Sequence, residues 1–375
     1  MASIGIAGAG VLGRLLAWRL ARAGHAVTVF DPAPGPQARS DGRGAAGFTA
    51  AGMLSPLAEL ENAGPQVAAL GWRSLALWRQ IAARLAPARQ ILPAACGDCT
   101  CCLPAADSDG IYFSALGSLM VAHATDLGAA HRVLARLDQA PALHAALPAP
   151  QPLSGAELAA LEPALAPNLH AWLLPGEGQI LPLQVLPALC AAAPGVDWRW
   201  GCAAGAVTPG RIAVAGGGVW HFDLAVDVRG VGARPDLPVR GVRGELLWLH
   251  APGVDLQRPL RLLHPRHRVY IVPRPCHRFV IGASEIESED RSPVSLRSAV
   301  ELMAAAHSAI PQLAEARIVH LETNLRPALP DNHPRTEVEP GLLRINGLFR
   351  HGWLLAPALV EDALQALSLE AVDAC

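Results

Sequence analysis

Charge and aromaticity are both scarce in this sequence. Of 375 residues, 17% are Asp, Glu, Lys or Arg and 5% are Phe, Trp or Tyr, with only two tyrosines. Surfaces that bind nucleic acid or anionic membranes need a cationic excess. The formal net charge of −2 supplies none, so neither nucleic acid nor a membrane is an expected partner. No apolar run is long enough to span a bilayer, because Arg, His, Gly or Pro interrupts each one. The start, MASIGIAGAG, lacks the basic and apolar regions of a secretory leader and runs directly into a glycine-rich turn. The expected location is therefore cytoplasmic. The 14 histidines form no HExxH or CxxCH pattern, so no metal or haem centre is expected.

Disorder is excluded by a hydrophobic content of 51%. The length exceeds what one core usually serves, so two closely packed domains are expected. Of eight cysteines, Cys96, Cys99, Cys101 and Cys102 crowd into CGDCTCC. A CxxC pair can serve zinc or redox chemistry, but no second CxxC or His pair completes a site. A reduced surface loop is the plainer reading. Cys190, Cys202, Cys276 and Cys375 are scattered and read as buried free thiols.

The N-terminus has the order strand, glycine turn, helix, strand, acid. Ser3–Ala7 reads as a buried strand entering Gly8-Ala9-Gly10-Val11-Leu12-Gly13. Leu12, Leu15, Leu16 and Leu20 then recur at helical spacing, with Arg14, Arg19 and Arg22 off that face. Ala26–Phe30 is a second strand closed by Asp31. In such a unit Gly8 permits the tight turn, Gly10 admits a pyrophosphate and Gly13 lets helix and strand pack closely. The helix N-terminus offers free amides to the phosphates. Asp31 suits ribose hydroxyls and disfavours a 2′-phosphate. The motif alone leaves FAD and NAD unseparated.

Further along, Trp72–Leu85 has helical periodicity, and Ile111–Ala122 reads as paired strands around Gly117. Ala140–Pro152 reads as a connector. Ser154 to Glu157 is a capping box that starts a short helix. Leu183–Ala193 reads as a helix despite Pro187. Strand-like segments dominate from about Asp197 to Val228 and at Gly244–His250, Val269–Pro273 and Arg278–Gly282. Val294–Ile310 reads as a helix, Leu342–Asn346 as a strand and Ala356–Leu367 as a closing helix near Pro357. Strands without intervening helices point to a second, largely antiparallel domain.

Several segments together resemble the glycine oxidases of the D-amino-acid oxidase (DAO) family. They are Thr49 to Leu54 with Glu59 following, Gly241-Val242-Arg243-Gly244-Glu245, Tyr270-Ile271-Val272-Pro273-Arg274, Val280 to Glu285, Leu325-Arg326-Pro327, and Gly347 to Pro357. They run in the family's order over nearly the whole chain. The resemblance implies an α/β fold: a Rossmann-like FAD-binding domain with an interleaved substrate domain on a mixed or antiparallel sheet. Residues 1–90, 150–238 and 320–375 would form the first, and 91–149 and 239–319 the second.

The resemblance also implies FAD held without a covalent bond, since no cysteine lies between Cys276 and Cys375. It places Gly8, Gly10, Val11, Leu12, Gly13 and Asp31 at the dinucleotide, and Ala51, Gly52 and Met53 near the flavin. Ala204 falls on the adenine side, Gly230 is a further cofactor-binding residue, and Leu348, Phe349, Arg350, His351, Gly352, Trp353 and Leu354 run along the ring. Arg326 matches the arginine that pairs with a substrate carboxylate, Tyr270 an active-site tyrosine, and Arg350 a second arginine; Met53 joins these three at the substrate.

The implied reaction is oxidation of a small amino acid, glycine first, by hydride transfer to flavin N5 with oxygen as acceptor. Thiazole formation in thiamine biosynthesis is the implied setting. A broader D-amino-acid or sarcosine-type oxidase or dehydrogenase, and a non-catalytic flavin protein, remain as alternatives. Self-association stays open.

Three features depart from the family pattern. Glu285 stands where some glycine oxidases are apolar, and is read as a surface or ion-paired residue. The run after Pro327 differs. His351 replaces the usual Asn, both residues tolerating unusual backbone angles.

Overall fold

The computed structural model describes residues 1–39, 41–85, 110–264 and 268–369. The Cys96–Cys102 cluster and Cys375 lie outside these residues.

A six-stranded sheet runs in the spatial order Arg335–Glu339, Leu342–Asn346, Leu224–Asp227, Ser3–Ala7, Ala26–Asp31 and Asp197–Trp200. All its pairs are parallel except the first. Alternation decides its faces. Ile4, Ile6, Val27, Val29 and Val226 enter the main core with the helices Val11–Arg22, Pro182–Ala191 and Gly352–Ala366. Ala7, Phe30, Ala225 and Leu342 face a three-stranded antiparallel sheet through Val207 and Ile212. Gly5 is glycine because a Cβ would stand 2.3 Å from the Phe222 ring.

The closing helix begins at Gly352, earlier than its proline suggests, and holds Pro357 in its interior. Pro357 has no N–H to give the Trp353 carbonyl one turn back. The Trp78 indole N–H, from the helix Gly64–Arg84, donates to that carbonyl instead at 2.6 Å. One proline is thereby tolerated through a tertiary hydrogen bond that also locks two helices together. Pro187 lies inside its own helix, Pro182–Ala191, and the capping box at Ser154 and Glu157 forms as the sequence indicates.

An eight-stranded sheet runs Arg317–Ala328, Arg240–His250, Arg278–Gly282, Arg268–Arg274, Leu260–Leu263, Ser118–Ala122, His170–Leu174 and Gln151–Leu153. Every pair is antiparallel except Leu260–Leu263 with Ser118–Ala122. Leu247, Leu249, Ile271, Phe279 and Ile281 pack beneath the helix Leu296–Ala309. Leu246, Trp248, Val272 and Val280 turn the other way, into the core shared with the parallel sheet.

Several expectations change. Ile111–Ala122 does not pair with itself: Phe113–Ser114 joins Gly178–Ile180 in a small sheet, while Ser118–Ala122 enters the large one. The connector after Ala140 carries the strand Gln151–Leu153. That strand and His170–Leu174 belong to the eight-stranded sheet, although the expected boundary grouped residues 150–238 with the cofactor. Leu325-Arg326-Pro327, read in the sequence only as a motif, sits in a strand. Pro327 lacks a donor, but the edge position of that strand tolerates it.

Candidate active site

A cavity of about 1150 Å³ lies between the two sheets. One end is the glycine turn, with Gly8, Gly10, Val11, Leu12 and Asp31 on its wall. Gly8 has φ +104°, and a Cβ there would strike the Val228 carbonyl at 2.7 Å. A Cβ on Gly13 would meet the Gly8 carbonyl at 1.9 Å, so Gly13 serves close helix–strand packing and does not line the cavity. Gly10 caps the helix Val11–Arg22 without a side-chain hydrogen bond, which leaves the helix terminus open to an anion. The Asp31 carboxylate accepts from the backbone N–H groups of Ala9 at 2.6 Å and Ala33 at 2.8 Å.

Arg14 corrects the helical-face reading: it is 1% exposed. Its guanidinium curls back to the carbonyls of Ala9 at 2.7 Å and Pro36 at 2.8 Å, and it lies over the rings of Phe48 and Trp200. It braces the turn from behind.

The opposite end is set by register. Residues opposed in antiparallel strands share a face. Glu322, Leu246, Gly282, Tyr270 and Arg261 are opposed in turn across five strands. Arg326 is opposed to Val242, two residues before Gly244. Tyr270, Arg261, Arg326 and Gly244 all line the cavity.

Two glycines form the floor. A Cβ on Gly244 would stand 2.6 Å from the Arg326 guanidinium carbon and both terminal nitrogens, and one on Gly282 2.4 Å from the Tyr270 hydroxyl. The Arg326 guanidinium donates to the carbonyls of Ser284 at 3.0 Å and Arg243 at 3.4 Å. Burial lowers the Arg326 pKa, against the pull of Tyr270 and Glu285. Burial raises the Tyr270 phenol above its usual value, against nearby Arg326, Arg261 and Arg274, so it stays a neutral donor near neutral pH.

Glu59, 6% exposed, is the hub between the sheets. Its carboxylate accepts from Arg350 at 2.7 Å and Arg261 at 3.0 Å, and pairs with His351 Nε2 at 2.9 Å. Burial would raise its pKa; Arg261, the His351 hydrogen bond and Arg350 outweigh that and hold it well below the usual carboxylate range. Glu285, with its side chain 46% exposed, approaches Arg350 at 3.7 Å.

Phe349 has φ +48° and donates its N–H to the Pro327 carbonyl at 2.8 Å, tying this turn to the strand that carries Arg326. The unusual backbone angle therefore belongs to Phe349. His351 has an ordinary φ of −98° and acts through its side chain.

Ala51, Gly52, Met53, Ala204, Gly230, Tyr270, Arg326 and the run Leu348 to Leu354 all line this one cavity. The sequence reading missed three things. Arg261 sits in an unremarkable alternating strand, and only its register opposite Tyr270 exposes it. The floor roles of Gly244 and Gly282 depend on cross-strand neighbours. Glu59 follows the segment Thr49 to Leu54 in the sequence, but its three partners come from distant stretches of chain.

The cavity suits a dinucleotide with a small substrate beyond it. Drug-sized pockets span ~300–1,000 Å³, and this one exceeds them while joining an uncapped helix terminus at one end to a held guanidinium at the other.

Comparison with known proteins agrees. Residues 3–363 match the DAO family, described as FAD dependent oxidoreductase. A thiamine biosynthesis oxidoreductase ThiO of Rhizobium etli is 36% identical over 365 residues, covering 97% of this chain and 95% of its own. The crystal structure of glycine oxidase from Geobacillus kaustophilus superposes with a TM-score of 0.77 at 23% identity, covering 100% of both chains. That of iminodiacetate oxidase from Chelativorans sp. BNC1 gives 0.79 at 20% identity, covering 99% of this chain and 97% of its own. A match along almost the entire sequence, with the glycine turn and the guanidinium facing one cavity, has one consequence: this chain belongs to the DAO family of FAD-dependent oxidoreductases.

Proposed function

We propose that the protein oxidises the Cα–N bond of a small amino acid, most simply glycine, and that Arg326 and Tyr270 hold the substrate. The observation that carries this reading is the guanidinium of Arg326 resting on Gly244, in one cavity wall with Tyr270 and the run 348–354. When bound, FAD supplies the acceptor for a hydride from the α-carbon and passes the electrons to oxygen. The protein's part is positioning.

Nη1 of Arg326 is taken up by the Ser284 and Arg243 carbonyls, so the guanidinium edge formed by Nε and Nη2 grips the carboxylate in a bidentate pair, and the neutral Tyr270 hydroxyl adds a donor. Burial excludes water from the grip and strengthens it. Arg350, bound to Glu59, lines the site beside the substrate, and Met53 closes the pocket on the side of the small sheet. The N-terminus of the helix Gly352–Ala366 has no side-chain cap, lines the cavity at His351 and Gly352, and would offer partial positive charge to a bound flavin. Gly8, Gly10, Val11, Leu12 and Asp31 receive the pyrophosphate and ribose, with Ala204 and Gly230 beyond them.

The amine reacts as the neutral base, so no side chain need take the α-proton. The imine formed hydrolyses to a 2-oxo acid and ammonia, with hydrogen peroxide as the second product. Similarity to the Rhizobium protein supports a role in thiamine biosynthesis, and a cytoplasmic setting fits that role. The cofactor domain is proposed to comprise residues 1–90, 150–238 and 320–375, with the strands 151–153 and 170–174 and residues 320–328 reaching across into the substrate sheet.

Anaerobic mixing with glycine, D-alanine, sarcosine and D-proline, followed by flavin absorbance, tests the reading. Bleaching by glycine, with peroxide released on readmitting air, is the expected result. A flavin that no amine bleaches points to a non-catalytic protein, and faster bleaching by the larger amines points to a broader amine oxidase.

A further inference from the structure

We propose that Glu285 sets substrate specificity by turning away amino acids that carry a second carboxylate. The inference rests on Arg326 as the carboxylate grip. The groups that bear electrostatically on Arg326 are Tyr270, Glu285 and Arg350. Tyr270 is neutral, and Glu285 is the one carboxylate among them.

A small substrate with two carboxylates needs a second free cation close to Arg326, and the other cavity-lining cation that bears on Arg326 is Arg350. Arg350 does not provide it: its guanidinium is bound to Glu59 at 2.7 Å, lies 3.7 Å from Glu285 and also feels Glu61. Arg261 is likewise held by Glu59 at 3.0 Å and feels the buried Glu177, whose carboxyl is pushed up to about 6 by burial. One carboxylate therefore meets the half-buried guanidinium of Arg326, while a second meets the half-exposed Glu285 on the cavity wall. Like charges inside a partly desolvated cavity repel far more than in water, and such juxtaposition is a direct route to discrimination.

The test uses two ligands of nearly equal shape, malonate and its monoamide, as competitive inhibitors of the FAD-loaded enzyme, with binding also followed by perturbation of the flavin spectrum. The wild type should bind the monoamide roughly 10-fold or more tightly than malonate, a ratio of the size expected for one unrelieved charge contact. Glu285→Gln, which keeps the shape and removes the charge, should shrink that ratio about 10-fold. Glu285→Met should do the same and guards against an effect of the amide itself.

A wild type that binds malonate as well as the monoamide, or variants that leave the ratio within about 2-fold, would overturn the proposal. Glycine turnover is measured alongside. Turnover with no change in the ratio sinks only the role of Glu285, whereas absence of both turnover and binding by either ligand sinks the carboxylate grip itself.

Discussion

Gly244→Ala is the sharpest perturbation available, because it adds one methyl group beneath the guanidinium proposed to grip the substrate. The new Cβ would stand 2.6 Å from the guanidinium carbon of Arg326 and from both its terminal nitrogens. Ordinary contacts lie near ~3.5–4.0 Å, so the guanidinium must rise by about 1 Å. Gly244 lies in an extended strand and has no positive φ, so alanine's own backbone preference is no obstacle. The side chain is the yielding partner; the strand is fixed on both sides.

Raising the guanidinium weakens its hydrogen bonds to the Ser284 and Arg243 carbonyls and misaligns the pair it offers a carboxylate. A lost charge-assisted hydrogen bond costs about 1.5–3 kcal/mol, and a 1 Å displacement of a reacting group costs on the order of 100-fold in rate. The expected loss in kcat/KM for glycine is therefore roughly 10- to 100-fold, with flavin content and melting temperature little changed. Steady-state kinetics, flavin absorbance and thermal unfolding measure the three.

Arg326→Ala provides the cross-check. In that background the added methyl has nothing to displace, so the two substitutions should be strongly non-additive. Full glycine turnover in Gly244→Ala, or additive losses in the double variant, would refute the floor-and-grip geometry.

Glu322, at the end of the row that contains Tyr270, is pushed up to about 7 by burial, against the pull of the Thr49 hydroxyl. Its proton is held more tightly in the folded chain, so stability falls as pH rises from about 4.5, where the unfolded group ionises, and the loss is complete above about 7, ~3 kcal/mol in all. Glu322→Gln should therefore be more stable than wild type in urea at pH 8, the gap closing toward pH 4; equal curves at both pH values would contradict this. Glu59 has the opposite sign, with a folded pKa well below the usual range, so its contribution is present above about 4.5 and disappears as pH falls through the folded value. Glu59→Gln, which leaves Arg261 and Arg350 underpaired, should lower stability at pH 7 by about 3 kcal/mol, and a change below ~0.5 kcal/mol would argue against a hub. Turnover of glycine should rise as its bound ammonium loses a proton, and a flat rate profile across that titration would exclude a neutral-amine reaction.

The cofactor end was legible because its physics is local. Gly8, Gly10 and Gly13 act within one turn, and Asp31 ends the next strand, so spacing alone places them. Even there Arg14 misled: helical periodicity set it off the apolar face, yet its long side chain reaches back to the Ala9 carbonyl and is buried. The Arg326 end of the cavity is signalled in the sequence only by the order of short motifs. Nothing local to Leu325-Arg326-Pro327 says whether the arginine faces solvent or a cavity. That depends on pairing with Arg240–His250, which sets Arg326 opposite Val242 and over Gly244.

The same distinction explains why the site needs the whole architecture. A guanidinium gripping a carboxylate must be desolvated to be strong, and a desolvated guanidinium must have its other donors satisfied. Local sequence cannot do both. The strand register supplies the carbonyls of Arg243 and Ser284 on one side of Arg326, while Gly244 lets the group lie flat enough to reach them. Phe349, in its left-handed conformation, ties the 347–351 turn to the Pro327 carbonyl, and Glu59 draws Arg350 and His351 of that turn toward Arg261 of the sheet. The strand that carries Arg326 and the 347–351 turn, proposed to hold substrate and flavin, are thus held to one another by hydrogen bonds that cross between the sheets. A substitution that loosens that cross-link, such as Glu59→Gln, should therefore raise KM for glycine as well as lower stability, whereas Glu322→Gln, outside the cross-link, should change stability alone.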